Sequence, residues 1–274
     1  MSNLFTEDTY EQAVIELFEG MGYEHIYAPD YDRDYTSPFL DAVLYGSLLR
    51  INRNLPEEAV KEAILKLKNF DMGSLLQKNI IFMDYLQNGI TVKILVKGEE
   101  QSVIVRLVDY GTVDNNSFCA VNQFTFLENG NNRRPDIILF INGMPLVLME
   151  LKSPSKDEVG VENAYHQIRN YMQDIPSMFY YNAICVVSDL STNKAGTITS
   201  GLDRFMEWKT KDGNYEETSY AQFDTFYEGM FQKKRLLDIL KNFILFSGTG
   251  TGRFKVLAGY HQYFAVRKAI EKAK

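Results

Sequence analysis

The stretch "RRPDIILFINGMPLVLMELKSPS", Arg133 to Ser155, decides how this chain folds. Two apolar runs, DIILFI and LVLMEL, flank Asn142-Gly143, a pair that tolerates positive φ and commonly joins antiparallel strands. Into this apolar hairpin the sequence sets two carboxylates, Asp136 and Glu150, and one amine, Lys152. A charge beside a hydrophobic run is costly when desolvated, so these three must stand at strand ends, pair with one another, or hold a metal. Side chains two apart in a strand share a face, which puts Glu150 and Lys152 about 6.6 Å apart along the chain, with Leu151 on the other side. Two carboxylates with a nearby backbone carbonyl, that of Leu151, make a hard oxygen site. It suits Mg²⁺, which takes few protein ligands and keeps its waters for a phosphate. A lysine beside such a site can orient or help deprotonate an attacking water, while the metal polarises the scissile phosphate.

The arrangement depends on register. With Ile141 opposite Met144 across a plain two-residue turn, Asp136 falls opposite Met149 and faces away from Glu150. A three-residue connection or one bulge sets Asp136 opposite Glu150 instead. Gly143 can adopt the left-handed conformation, and Pro145 has no N–H to donate, so an irregularity is expected between Ile141 and Leu146.

Outside this stretch the chain reads as an ordinary globular protein of 274 residues, 45% hydrophobic and 24% charged. It lacks a basic and then apolar leader, and it has no apolar run near the ~18 residues of a membrane span, so a cytoplasmic protein with no membrane contact is expected. The net charge of −7 argues against a nonspecific polyanion binder and leaves any nucleic-acid contact to local basic clusters. Cys119 and Cys185, in SFCAV and NAICVV, read as buried reduced thiols. His25, His166 and His261 are scattered, without metal-ligand spacing.

In TEDTYEQAVIELFEGMGY, Tyr10, Ala13, Val14, Leu17, Phe18 and Met21 recur at helical spacing, and Gly22 suits the stop. Glu7 and Glu11 then lie together on one edge of the apolar stripe, where Glu11 either reaches a core-edge site or stays solvated. PEEAVKEAILKL, 56–67, reads as a second amphipathic helix. ITVKILV, SVIVRLVDY, FCAVNQFTFLE, DIILFI and LVLMEL read as a meander of strands. Residues 161–173 read as a helix and NAICVVSD as one more strand. The expected fold is α/β, a mixed β-sheet flanked by helices.

A Glu-x-Lys triplet carries little by itself: Glu207-Trp208-Lys209 repeats it in a helix-like segment. Pro-Asp opening one strand and Glu-x-Lys closing the next, with a hairpin between, is similar to the pattern of PD-(D/E)xK nucleases. The wider chain resembles the N-terminal part of the restriction (R) subunit of type I restriction-modification enzymes. The likeness runs in order through VRLVDYGTVDNNSF, VNQFTF, RPDIILFINGMPLVLMELKSP, AYHQIRNYMQDIPSMFYYNAICVVSD, DRFMEWK and GYHQYFAVRKAI. It implies a restriction-endonuclease-like core with nuclease residues at Asp136, Glu150 and Lys152. It also implies a Gln-x-x-x-Tyr motif at Gln167 and Tyr171, and a helical acidic residue at Glu11. Gln167 and Tyr171, four apart, share one helix face.

The resemblance further implies that Gln262 belongs to an adenine-recognising motif opening a helicase motor. SGTGTGRF lacks the Gly-Lys-Ser/Thr ending of a phosphate loop and reads as a flexible loop, so no ATP hydrolysis is expected of this chain. The expected organisation is a nuclease domain over 1–244, comprising a helical part over 1–90, a catalytic core over 91–205 and trailing helices over 206–244. The loop and first helix of a truncated motor then occupy 245–274. Arg133, Arg134, Lys156 and Arg169 are candidate DNA contacts around the acidic site. The expected activity is Mg²⁺-dependent cleavage of double-stranded DNA, with Mn²⁺ able to substitute and ATP needed only by the full-length subunit. The implied partners are methyltransferase and specificity subunits. Two alternatives stay open: a stand-alone repair or structure-specific nuclease of the same superfamily, and a catalytically silent docking module. A nucleotide-binding protein is disfavoured by the missing phosphate-loop lysine.

Overall fold

Strands Ile137–Ile141 and Met144–Leu151 are buried along their whole lengths, which is what apolarity on both faces of a covered sheet requires. The computed structural model describes residues 6–96, 98–152, 160–214 and 223–273. In chain order the elements are α1 (Glu7–Gly20), β1 (Glu24–Tyr27), α2 (Asp41–Ile51), α3 (Glu57–Lys68), α4 (Leu75–Asn88), β2 (Ile90–Val96) and β3 (Glu99–Val105). Then come β4 (Phe118–Asn122), β5 (Phe126–Glu128), β6 (Asn131–Arg133), β7 (Ile137–Ile141), β8 (Met144–Leu151), α5 (Gly160–Asp174), α6 (Pro176–Tyr180), β9 (Ile184–Ser188) and β10 (Asn193–Gly196). The chain closes with α7 (Phe223–Phe231), α8 (Lys233–Asn242), β11 (Ile244–Ser247), β12 (Phe254–Leu257) and α9 (Tyr260–Ala273).

The central sheet has the order β1-β4-β7-β8-β9-β10. β1 runs parallel to β4 and β8 parallel to β9, while the other neighbours are antiparallel, so the sheet is mixed as expected. One face packs Leu139, Met149 and Val186 against Val14, Phe18, Phe82 and Phe231 of the helices; the other packs Ile138, Leu148 and Val187 against Ile168, Tyr171 and Phe179. Cys119 and Cys185 are buried and free, as read from the sequence.

The meander reading needs correcting. β2 and β3 pair only with each other, as do β5 and β6. β3 opens with Glu99-Glu100-Gln101-Ser102, all exposed, so it has no second apolar face with which to enter a sheet covered on both sides. After Val105 the chain leaves the strand, and Asp109 accepts the N–H groups of Gly111 and Thr112 in a tight turn. Glu207-Trp208-Lys209 is not helical; Trp208 is buried and donates its indole N–H to the Thr210 carbonyl. SGTGTGRF forms the turn of the β11–β12 hairpin, with only its first and last residues in strands.

The β7–β8 register follows the sequence argument. Ile141 pairs with Met144 and Phe140 with Pro145, across Asn142 and Gly143 at φ 51° and 76°. The register then shifts, so that Leu139 pairs with Val147 and Ile137 with Met149. The turn has two residues and the extra one is Leu146, a bulge within the expected window. Leu146 and Val147 both face the α1 side of the sheet, which reverses the alternation for the rest of β8. Asn142 is fully buried, donates to the Leu107 carbonyl and accepts from the Ser117 N–H, which holds the turn in place. A Cβ at Gly143 would lie 2.5 Å from the Leu44 nitrogen, so only glycine fits there.

Candidate functional site

The bulge brings two carboxylates together. With Ile137 opposite Met149, the next positions out are Asp136 and Glu150, which share the face of Ile138, Leu148 and Val187 beneath α5. Asp136 Oδ2 accepts the Leu151 N–H at 2.7 Å. In an extended strand a residue's N–H and C=O leave on the same side, so the Leu151 carbonyl points along the same edge. Glu150 is 0% exposed: Oε1 accepts from Lys152 Nζ at 2.7 Å, and Oε2 has no hydrogen-bond partner among the described residues. A buried carboxylate oxygen without a donor is costly unless a proton or a cation satisfies it.

The electrostatics point the same way. Burial raises the Asp136 carboxyl from 3.8 to about 7, against the opposing pull of the Leu151 N–H and Lys152. Glu150 is pushed well above its ordinary value by burial and then by the Asp136 charge. Two carboxyls that resist being charged side by side accept a proton or a metal ion. Burial alone would lower the Lys152 amine; Glu150, Asp136 and Glu7 outweigh it and hold the amine cationic. Its Nζ also reaches Glu7 Oε1 at 3.3 Å, and its backbone N–H donates to the Ser188 carbonyl at 2.8 Å.

Glu11 proves buried at the core edge rather than solvated, 8% exposed. Asn122 donates to one of its oxygens at 2.7 Å and Gln123 to the other at 2.8 Å. Burial raises this carboxyl too, while the two amides and the nearby Arg134 charge pull it down. Gln123 adopts φ 57° and its backbone N–H donates to the Asp136 carbonyl at 3.2 Å, tying the strand that carries Asp136 to the holder of Glu11. Neither Asn122 nor Gln123 stands out in the sequence, where both lie inside the run FCAVNQFTFLE that reads as strand. On α5, Gln167 donates to the Tyr171 hydroxyl at 2.6 Å. That phenol is buried and pushed upward, first by desolvation and then by the Glu150 charge, so the pair sits over the carboxylates.

The basic candidates separate. Arg133 is engaged with Asp174 at 2.7 Å, and Arg169 donates to the Ile198 carbonyl at 2.9 Å. Arg134 is exposed beside Glu11. Lys156 lies outside the described residues. Gln262 accepts the Gly259 N–H at 2.9 Å at the start of α9. Among the described residues no group of three or more His, Cys, Asp and Glu side chains forms a metal cluster, and no helix is long and apolar enough to cross a membrane.

Residues 4–204 match the family described as type I restriction enzyme R protein N terminus. The type I restriction enzyme HindI endonuclease subunit of Haemophilus influenzae is 32% identical, over 98% of this chain and 27% of that subunit. A Methanocaldococcus jannaschii protein provisionally named as the type I restriction enzyme MjaIXP endonuclease subunit is 29% identical, over 96% of this chain and 27% of its own length. The type I restriction enzyme EcoprrI endonuclease subunit of Escherichia coli is 28% identical, over 54% of this chain and 47% of that sequence. The chain thus spans about a quarter of the first two relatives.

Proposed function

The chain belongs to the family of type I restriction enzyme R protein N-terminal regions, and from that premise we propose that it is the DNA-cleaving module of such an enzyme. Its substrate would be double-stranded DNA and its reaction phosphodiester hydrolysis. The observation that carries this reading is the bulge-set pair Asp136 and Glu150, with Glu150 Oε2 buried and unpartnered among the described residues. Asp136, Glu150 and the Leu151 carbonyl would hold Mg²⁺, or Mn²⁺ in its place. When bound, the ion supplies Lewis-acid polarisation of the phosphate and neutralises developing charge. These residues fit such an ion because hard oxygen donors with few protein ligands are what Mg²⁺ takes.

The protein's own side chains do the rest. Lys152, held cationic between Glu150 and Glu7, orients the attacking water and the phosphate by donating; its raised pKa makes it a donor rather than a base. Gln167 aligns the Tyr171 hydroxyl above Glu150, closing the site from that side. Glu11, fixed by Asn122 and Gln123, adds a third negative charge beside Asp136 that strengthens cation capture. Arg134 and Lys156 would meet the DNA backbone, with Arg133 and Arg169 available once released from their present contacts.

In a subunit of the relatives' length, residues 1–244 would serve as the nuclease and 245–274 would open a motor. Gln262 would meet adenine there, and ATP would be used only by that motor. Methyltransferase and specificity subunits would supply modification and sequence recognition in the cytoplasm. Replacing Asp136, Glu150 or Lys152 with alanine in the assembled enzyme tests the reading: DNA cleavage should be lost and ATP-driven translocation kept. Wild-type cleavage by the Glu150 variant would refute it.

A further inference from the structure

Charge is divided unevenly along this chain. Residues 233–274 hold ten Lys and Arg against two Asp and Glu, a net +8, leaving −15 on residues 1–232 of the total −7. Much of that positive charge gathers where α8 and α9 face a cleft of about 630 Å³ lined by Lys234, Arg235, Lys241, Arg267 and Lys268. Asp212, Asp238 and Glu271 line it as well, so five cations face three carboxylates and the lining stays net positive; Asp238 pairs with Arg267, and Asp212, held in its loop by Thr210 and the Asn214 N–H, also feels the Arg235 charge.

The hydrogen bonds of Arg235 and Lys241 go to backbone carbonyls. Arg235 donates to the Lys211 carbonyl at 2.6 Å and lies 5.2 Å from the Phe264 ring, and Lys241 stands 5.3 Å from the Tyr110 ring while donating to the Gln87 carbonyl. Carbonyls and aromatic faces fix these cations without cancelling their charge. Lys234 is exposed at the rim.

The cleft sits at the turn end of the central hairpin. Asn142 in that turn donates to Asn116, and Asn116 donates to the carbonyl of Asp109, the residue before Tyr110. The carboxylates stand at the other end of β8, roughly 25 Å away for an eight-residue strand.

We propose that the α8–α9 cleft is a second, non-catalytic contact for the phosphate backbone of duplex DNA. It would anchor the substrate away from the acidic catalytic end, which repels phosphates until a cation is bound. The proposal rests on the nuclease reading for the identity of its polyanion. DNA carries one negative charge per about 1.7 Å of axis, and cations held in a net positive cleft bind it by releasing counterions.

Fluorescence anisotropy of a labelled blunt-ended duplex in EDTA, across a salt series, tests the proposal. Lys234→Glu should weaken binding and lower the slope of log Kd against log salt by about 1 or more, at unchanged melting temperature, while Lys234→Arg keeps the wild-type slope. Lys93→Glu on β2, an exposed lysine far along the chain, should bind as wild type. Equal slopes in wild type and Lys234→Glu would overturn the proposal. So would unchanged DNA affinity with altered self-association in light scattering, which would assign the cleft to the acidic surface of a second copy. Cleavage by Glu150→Ala in the assembled enzyme is scored separately from the Lys234→Glu slope. If the Glu150 variant still cleaved, the nuclease reading would fall while the binding result stood.

Discussion

Replacing Asp136 with asparagine should stabilise the metal-free protein at alkaline pH. The amide keeps an oxygen to accept the Leu151 N–H and removes the charge that burial disfavours. The folded-state pKa lies above the unfolded one, at about 7 against 3.8. The stability this carboxyl contributes is therefore complete below 3.8, erodes as pH rises, and is gone once pH passes about 7. The full interval corresponds to about 4 kcal/mol. Asp136 is only partly buried, and water on its open side screens part of that, leaving about 2 kcal/mol at pH 8. For a chain of this size that is roughly 4 °C in melting temperature. Calorimetric scans in EDTA from pH 4 to 8 should show wild type falling behind Asp136→Asn as pH rises. Mg²⁺ at pH 8 should close the gap by stabilising wild type alone, through binding to its folded state. A variant melting at or below wild type at pH 8 would mean that the carboxylate is not destabilised by its surroundings, and the argument for a cation-seeking site would fail.

Gln167→Ala should lower cleavage by about tenfold, as loss of a positioning contact does, with little change in melting temperature; strong destabilisation with normal cleavage would make the residue structural. Deleting Leu146 should restore plain alternation along β8 and turn Glu150 to the α1 side, abolishing cation binding; a folded deletion variant that still binds Mn²⁺ would contradict the register argument. Lys255 is 2% exposed, donates to Asn79 Oδ1 and the Asn182 carbonyl, and is lowered by burial to about 7 from 10.5. Wild type should therefore gain stability as pH rises from about 7 toward 10.5, and Lys255→Met should lose that gain; parallel pH profiles in urea melts would refute it.

The hairpin shows what could be read in advance. Charges at the ends of two apolar strands can converge only if the alternation slips once, and that requirement located an irregularity between Ile141 and Leu146. Its seat at Leu146 was not legible, because Leu146 and Val147 are both apolar and suit either face. α1 was legible from its period, but the depth of Glu11 was not, since Asn122 and Gln123, more than a hundred residues away, create its environment. β1, a four-residue edge strand of mixed polarity, carries too little pattern to be seen, and the separate β2–β3 hairpin was absorbed into the sheet because β-propensity does not name a partner. The Ser74-to-Gln77 capping box that opens α4 is a start signal written in the sequence itself. The roles of Gln167 and Tyr171 came from family resemblance; spacing alone would have placed them on one helix face and no further.

The central claim is that Asp136 and Glu150 together hold one divalent cation. Titrating Mn²⁺ into the protein at pH 8, with free ion followed by electron paramagnetic resonance, tests it directly. Wild type should bind one ion weakly, on the order of millimolar, because two carboxylates without a substrate phosphate make an incomplete shell. Asp136→Asn and Glu150→Gln, checked as folded, should each lose that binding. Identical Mn²⁺ isotherms for wild type and both variants would contradict the account.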